Sequence, residues 1–335
     1  MTVGAEPSAT PGAWPISMDD IRAAQARIGA YLSPTPLWRH PALDEAVGEQ
    51  IRVLVKHENF QPTGSFKVRN GLSFMTALPP DERRHGVVAA TRGNHGLGLA
   101  FAAQALGVQA TLCVPVGNNP EKNAGMRALG ARVIEEGRDY DDATVVADRI
   151  VSREGAVLAH GSNNRFVMAG AATLSLELFE QERDLDAIVI AVGGGSQAVG
   201  ALTVARALGR TVPVFAVQAR GASAIHDSWH ARERLTRDAA NTIADGLATR
   251  TAYEMTFATL LDGLAGFITV NDAEIASAMR LLLRTTHSLV EGAGAAGLAG
   301  LRALAPRLAH KRVGIVLSGA NVDATTLRRV LNEEL

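Results

Sequence analysis

Short apolar runs, several unbroken by any polar residue, alternate along the chain with longer stretches whose apolar residues recur every three to four positions. The runs read as strands over residues 51–56, 87–90, 110–115, 132–135, 157–159, 187–192, 214–217 and 313–317. The stretches between them, such as 96–106 and 139–151, carry the period of helices. Ahead of the first strand, Ser17 has the character of an N-cap for a helix over 18–31, with Asp19 and Asp20 suited to the positive end of its dipole. Strands separated by helices of this length pair in parallel, through crossovers that cover both faces of a sheet. The pattern therefore predicts a doubly wound α/β fold. In such folds ligands bind outside the carboxyl ends of strands, so the loops leaving the strands are where chemistry is expected.

Composition narrows the field. With 335 residues the chain can bury one large core or two moderate ones. A formal net charge of -1 gives no electrostatic footprint for nucleic acid. No apolar run reaches the roughly eighteen residues of a membrane span. The single cysteine, Cys113, leaves no intramolecular disulfide. Residues 1–15, rich in Pro, Ala and Gly, read as a loose tail without the basic and apolar segments of a secretion signal. A reducing cytoplasm is the expected location. Lysine is scarce: Lys56, Lys67, Lys122 and Lys311 are the only side-chain amines.

Three loops stand out. Gln61-Pro62-Thr63-Gly64-Ser65-Phe66-Lys67 is turn-rich and runs into a helical pattern, which places Lys67 in a first helical turn. There the helix dipole and burial disfavour the ammonium form, and the neutral amine is the species that condenses with a carbonyl. A surface lysine at a helix start is the other reading of the same residues. Thr91-Arg92-Gly93-Asn94-His95-Gly96 follows the strand over 87–90. Gly93 can turn several amide hydrogens toward one point, a nest for a carboxylate, with a helix N-terminus behind it and the Asn94 amide beside it. A tight turn capped by asparagine is the bland equivalent.

The third loop, Gly193-Gly194-Gly195-Ser196-Gln197, lies between the strand over 187–192 and a helix containing 201–208. Consecutive glycines let the backbone wrap a phosphate, and the helix dipole favours its charge. With Ala198 the loop also matches a dinucleotide pattern. That pattern needs an acid at the end of the next strand to hold a ribose, where Gln218 stands, and no Gly-Lys-Ser/Thr serves a nucleoside triphosphate. One phosphate on a compact cofactor fits better. Ser318, in Leu317-Ser318-Gly319-Ala320-Asn321 after the last strand, is a fourth position of the same kind and weak evidence alone.

In this order the four loops resemble the serine/threonine dehydratase group of fold-type II pyridoxal-phosphate enzymes, close to threonine dehydratase and serine racemase, with a branch linked to hydroxyectoine degradation. The resemblance spans residues 18–321, and Thr242-Ile243-Ala244-Asp245-Gly246 and Val290-Glu291-Gly292-Ala293 extend it. It implies two doubly wound α/β domains with mostly parallel sheets: a smaller mobile lobe over 53–157, inserted into a larger cofactor-binding one formed by 16–52 and 158–335. It implies that Lys67 carries pyridoxal 5'-phosphate as a Schiff base and later removes the substrate's α-proton. By the same resemblance Phe66 packs on the cofactor ring, and Asn94 bonds its phenolic oxygen. Gly193, Gly194, Gly195, Ser196 and Gln197 hold the phosphate, and Ser318 faces the pyridine nitrogen. Ser65, Thr91, Arg92, Gly93, Asn94 and His95 take the substrate. A serine hydroxyl cannot hold the pyridine nitrogen protonated as a carboxylate can, and elimination suits such a site because electrons leave with the 3-substituent. The implied reaction is β-elimination of water from a 3-hydroxy amino acid such as threonine or serine, giving a 2-oxo acid and ammonia, in a homodimer or homotetramer.

Departures from the family pattern qualify this expectation. Arg92 stands where members usually carry a serine, which in serine racemases is the second base, and an arginine is a poor base. Racemisation is thereby demoted. Two readings of Arg92 stay open. Its guanidinium can bind an extra anionic or polar group on the substrate, as in 3-hydroxyaspartate or a hydroxyectoine-derived amino acid; or it turns to solvent or pairs with a nearby carboxylate. Gln218 and Ala224 stand where several relatives hold a divalent cation, so no metal site is expected. Ala320 replaces the usual second glycine of Ser-Gly-Gly-Asn. The sequence ends at Leu335 without length for the regulatory domain of biosynthetic threonine dehydratases, which points to a catabolic enzyme without isoleucine feedback.

The remaining features read blandly. His226 and His230 lack a third metal ligand nearby; Asp139, Asp141 and Asp142 read as a solvated helix start; Cys113 reads as a buried small hydrophobe; His95 is given no proton-transfer role. Two other functions compete: a β-replacement synthase on the same fold, which would need a second substrate, and a phosphate-ligand sensor, which would be colourless.

Overall fold

A computed structural model describes residues 14–335. In chain order the strands are β1 (Leu37–Arg39), β2 (Arg52–Lys56), β3 (Val87–Ala90), β4 (Ala110–Val114), β5 (Arg132–Glu135), β6 (Val157–Leu158), β7 (Ala187–Ala191), β8 (Val214–Ala219), β9 (Gly266–Val270) and β10 (Arg312–Val316). They form a six-stranded sheet in the order β1-β2-β10-β7-β8-β9 and a four-stranded one in the order β5-β4-β3-β6. Every pairing is parallel except β1 with β2.

The unbroken apolar runs have a direct cause, because the strands are buried on both faces. In β7, Ala187, Val189 and Ala191 join one core while Ile188 and Ile190 join the other. The smaller sheet repeats this: Val87, Ala89, Leu112 and Val114 face one cluster, and Val88, Ala90 and Cys113 the opposite one. Cys113 is thus fully buried, and burial pushes its thiol up to about 11. β1 and β9 have no counterpart in the sequence pattern. β1 is three residues long between Pro36 and Pro41 and pairs on one side only. β9 is the opposite edge, with only Phe267 and Val270 buried.

Ser17 caps the first helix in a reciprocal box with Asp20, yet the helix is Met18–Ile28, three residues shorter than expected, because Gly29 ends it. The loose tail also ends sooner. Residues 1–13 lie outside the described residues, but the Trp14 indole donates to Asp262 Oδ2 at 3.0 Å and lies under the Arg206 guanidinium. The lobe boundary moves as well. β2, placed by the resemblance at the start of the smaller lobe, hydrogen-bonds to β1 and β10, so residues 53–56 belong to the larger sheet.

The helix Lys67–Ala77 is clamped between two others. A methyl on Gly71 would overlap the Gly98 carbonyl in the helix Asn94–Leu106, and one on Gly98 would overlap the Lys67 carbonyl. Gly170, in the helix Arg165–Gln181, meets the Arg69 carbonyl in the same way. Backbone therefore packs on backbone around the start of the Lys67 helix. Beneath it, Arg69 is fully buried and held by Glu58 and Glu177, and Glu177 also accepts from the buried Lys56 at 2.7 Å.

Candidate active site

The loops that leave β3, β6, β7 and β10 meet the start of the Lys67–Ala77 helix in one cleft. Every residue given a cofactor, catalytic or substrate role from the sequence lines it except Ser65, which is fully buried beside it with its hydroxyl unpartnered. Two segments distant in sequence are joined backbone to backbone here. Phe66 N donates to the Ser318 carbonyl at 3.0 Å, Ala320 N donates to the Gly64 carbonyl at 2.8 Å, and Ser65 forms an antiparallel bridge with Gly319. Ala320 thus keeps the backbone contact of its loop. Lys67 is the first residue of its helix, and its Nζ donates to the Gly161 carbonyl at 3.2 Å and lies 5.0 Å from the Phe66 ring centroid.

The other lysines are committed elsewhere. Lys56 is in the buried ion network, Lys122 is paired with Asp245 at 3.2 Å and Glu291 at 3.7 Å, and Lys311 is half exposed beside Asp186. Among the described residues no carboxylate partners Lys67, and burial alone lowers its pKa from 10.5 to about 8. A depressed amine is neutral above its folded pKa and becomes charged as pH falls through it. The rate at which the apoprotein combines with pyridoxal phosphate should therefore climb about tenfold per pH unit below about 8 and level off above it. Stopped-flow mixing across pH 6–10, on the order of one point per half unit, reads this directly; a rate still climbing at pH 10 would show an ordinary lysine.

The triple glycine forms a cradle at the head of the helix Ser196–Ala207. Its N-cap, Gly195, is left-handed with φ 91° and supplies no side chain to the first amides. A methyl on Gly193 would overlap the Gly246 carbonyl, and one on Gly194 the Ser162 hydroxyl. Backbone amides there remain open to an anion.

The Thr91–His95 loop is built differently from the expected nest. Gly93 has φ 152° and caps the helix Asn94–Leu106, but its own amide, with that of Gly96, donates to Thr91 Oγ1 at 3.0 Å. The Thr91 hydroxyl shapes the loop. Asn94 donates to Glu291 at 2.5 Å and accepts from Asn321 at 2.8 Å, so a chain of contacts runs from Asn321 through Asn94 and Glu291 to Lys122 and Asp245. Burial raises the Glu291 pKa against the pull of Lys122. His95 is buried with Nε2 on the Ala159 carbonyl at 2.8 Å, and burial, then Lys67, push its pKa down to about 3. Arg92 lines the cleft with its Nε buried and without a hydrogen-bond partner.

Lys122, Asp245, Gly161 and Ser162 were given no site role from the sequence. Lys122 has no local signal, sitting one turn after the Asn119 N-cap of its helix. Gln218 is buried, accepting from His226 N and donating to Thr249. His226 bonds Asp227 and His230 approaches the Phe267 carbonyl, and among the described residues no group of three His, Cys, Asp or Glu could hold a metal. Asp139 caps the helix Tyr140–Glu154. Among the described residues no helix is long and apolar enough to cross a membrane.

The family model described as pyridoxal-phosphate dependent enzyme matches residues 28–319. The chain belongs to this family. It is 36% identical to an L-threonine ammonia-lyase of Thermotoga maritima over 96% of this chain and 79% of that one. It is also similar to the solved structure of a threonine deaminase from T.th., at 36% identity and a TM-score of 0.86, covering 92% of this chain and 99% of that one. Maize serine racemase superposes with a TM-score of 0.89 at 31% identity, over 96% and 98% of the two chains. The fold is that of fold-type II pyridoxal-phosphate enzymes. The residues present fit the family's cofactor: a buried amine without a carboxylate partner meets an aldehyde's need, and the uncapped glycine cradle a phosphate's.

Proposed function

We propose that this protein is a pyridoxal-phosphate-dependent ammonia-lyase that converts a small 3-hydroxy amino acid, threonine or serine in the simplest case, to a 2-oxo acid. One observation carries the reading: the lysine without a carboxylate partner shares its cleft with a phosphate cradle and with Ser318. When bound, pyridoxal phosphate supplies an electron sink for negative charge at the substrate's α-carbon. Gly193 to Gln197 would hold its phosphate, Phe66 its ring face, Asn94 its ring hydroxyl and Ser318 its ring nitrogen.

Lys67 Nζ is the base that takes the α-proton, and a pKa lowered to about 8 keeps a useful neutral fraction of it near pH 7. His95 relays no proton, since burial holds it neutral and its Nε2–H donates to the Ala159 carbonyl. The amides that open the Asn94–Leu106 helix orient the substrate's carboxylate. In net terms the C3–O bond breaks, the α-proton and hydroxyl leave as water, and water then replaces the nitrogen. Threonine thus gives 2-oxobutanoate and ammonia.

The two sheets support a larger cofactor-binding lobe and a smaller one that closes to exclude water. Cytoplasmic location and assembly as a homodimer or homotetramer carry over from the family resemblance. Racemisation would need a second base, and Arg92 supplies none. Incubation of the holoenzyme with threonine or serine should release ammonia and 2-oxo acid in equal amounts without a second substrate. Turnover that depends on an added nucleophile, or a D-amino acid as main product, would overturn the proposal.

A further inference from the structure

The cations lining the cleft are not all paired. Lys122 is answered by Asp245 and Glu291, and Lys67, whose pKa burial lowers to about 8, is the amine the cofactor takes in the reading above. Arg92 has no such answer: among the described residues no carboxylate pairs with it, and its Nε is withdrawn from water with no acceptor. Arg69 shows what this chain does with a guanidinium it buries for structure, holding it between Glu58 and Glu177. A guanidinium donor left unsatisfied in a cleft is unfavourable unless a ligand brings the acceptor.

That ligand group is neither of the two anions already provided for. The phosphate cradle follows β7 of the larger sheet and draws its positive potential from backbone amides and the Ser196–Ala207 helix, whereas Arg92 follows β3 of the smaller sheet. The α-carboxylate has the Asn94 and His95 amides that open the Asn94–Leu106 helix, the Gly96 amide being held by Thr91. A further anion on the substrate remains, and the planar fork of an arginine matches a carboxylate with two parallel bonds.

We infer that Arg92 binds a carboxylate on the substrate's side chain, so that the cleft prefers acidic 3-hydroxy amino acids, 3-hydroxyaspartate being the simplest, over threonine or serine. The substrate class rests on the elimination proposed above; the role of Arg92 as a carboxylate-binding specificity residue does not.

The test compares the wild type with Arg92→Gln and Arg92→Lys. In calorimetry, succinate and butyrate share a four-carbon chain and differ by one carboxylate. The wild type should bind succinate about ten- to a hundred-fold more tightly. Arg92→Gln should lose that preference, and Arg92→Lys should keep part of it, because an ammonium supplies charge without the fork. In turnover, kcat/KM for 3-hydroxyaspartate relative to threonine should fall in Arg92→Gln by about the same factor. Equal losses for both substrates would assign Arg92 to the α-carboxylate and overturn the inference, as would a succinate preference that survives in Arg92→Gln. If no hydroxy amino acid yields a 2-oxo acid, the elimination reading fails, while the succinate measurement still decides what Arg92 binds.

Discussion

Lys67→Ala should lower kcat by on the order of 10^4-fold and abolish the visible absorbance of a lysine-linked cofactor. Both effects follow from one group. The amine is the covalent anchor and, among the described residues, the only unpaired lysine in the cleft, since Lys122 is tied to two carboxylates and Lys56 is buried away from it. Neither can substitute, because a paired ammonium is not the nucleophile or the base. The lost base can be returned from solution: ethylamine should restore part of the lost rate in Lys67→Ala, with a dependence on the neutral amine fraction. Lys67→Arg should be no better than alanine, since a guanidinium keeps the charge and offers no neutral amine. A variant that keeps kcat within about tenfold of wild type would remove Lys67 from the chemistry.

The largest expected effect on stability lies below the chemistry. Glu177 accepts from Lys56 Nζ at 2.7 Å and from Arg69 Nη1 and Nη2 at 2.6 and 2.8 Å, while Glu58 accepts from Arg69 Nε and Nη2, both at 2.8 Å. All four side chains are nearly inaccessible. Truncating one partner leaves two buried cations short of an acceptor, which costs about 3–5 kcal/mol. Glu177→Ala should therefore lower the melting temperature by roughly 4–7 °C. The exposed pair Arg132–Glu154, with side chains 53% and 44% accessible, is the control. There Glu154→Ala should change stability by less than about 1 kcal/mol, because solvent screens the pair. If the two variants melt alike, the buried network contributes no more than a surface contact. Glu177→Ala should also loosen the Lys67 helix, since Arg69 sits two residues beyond Lys67.

How much of this was legible in the sequence depended on whether the physical cause was local. Strands such as Ala187–Ala191 announced themselves because burial on both faces writes an unbroken apolar run. Leu37–Arg39 and Gly266–Val270 did not, being short edges with half-polar surroundings. The same holds at the site. A triple glycine after a strand and a lysine after a turn-rich segment are backbone statements, readable in place. The pairing of Lys122 with Asp245 joins residues 123 apart and leaves no periodic trace. Lys56, Glu58, Arg69 and Glu177 are harder still. Charged residues inside otherwise apolar elements read as surface positions, and only the fold brings their opposite signs together. Thr91 marks a third kind of gap: the sequence located its loop, while the hydroxyl's use in binding Gly93 and Gly96 depended on backbone angles.

Borohydride reduction of the holoenzyme, followed by proteolysis and peptide mapping, puts the assignment of the cofactor to the start of the Lys67–Ala77 helix to the shortest test. A pyridoxyl label on the peptide containing Gly64-Ser65-Phe66-Lys67, and on no other, is the predicted result. A label on Lys56, Lys122 or Lys311, or no label at all, would contradict it.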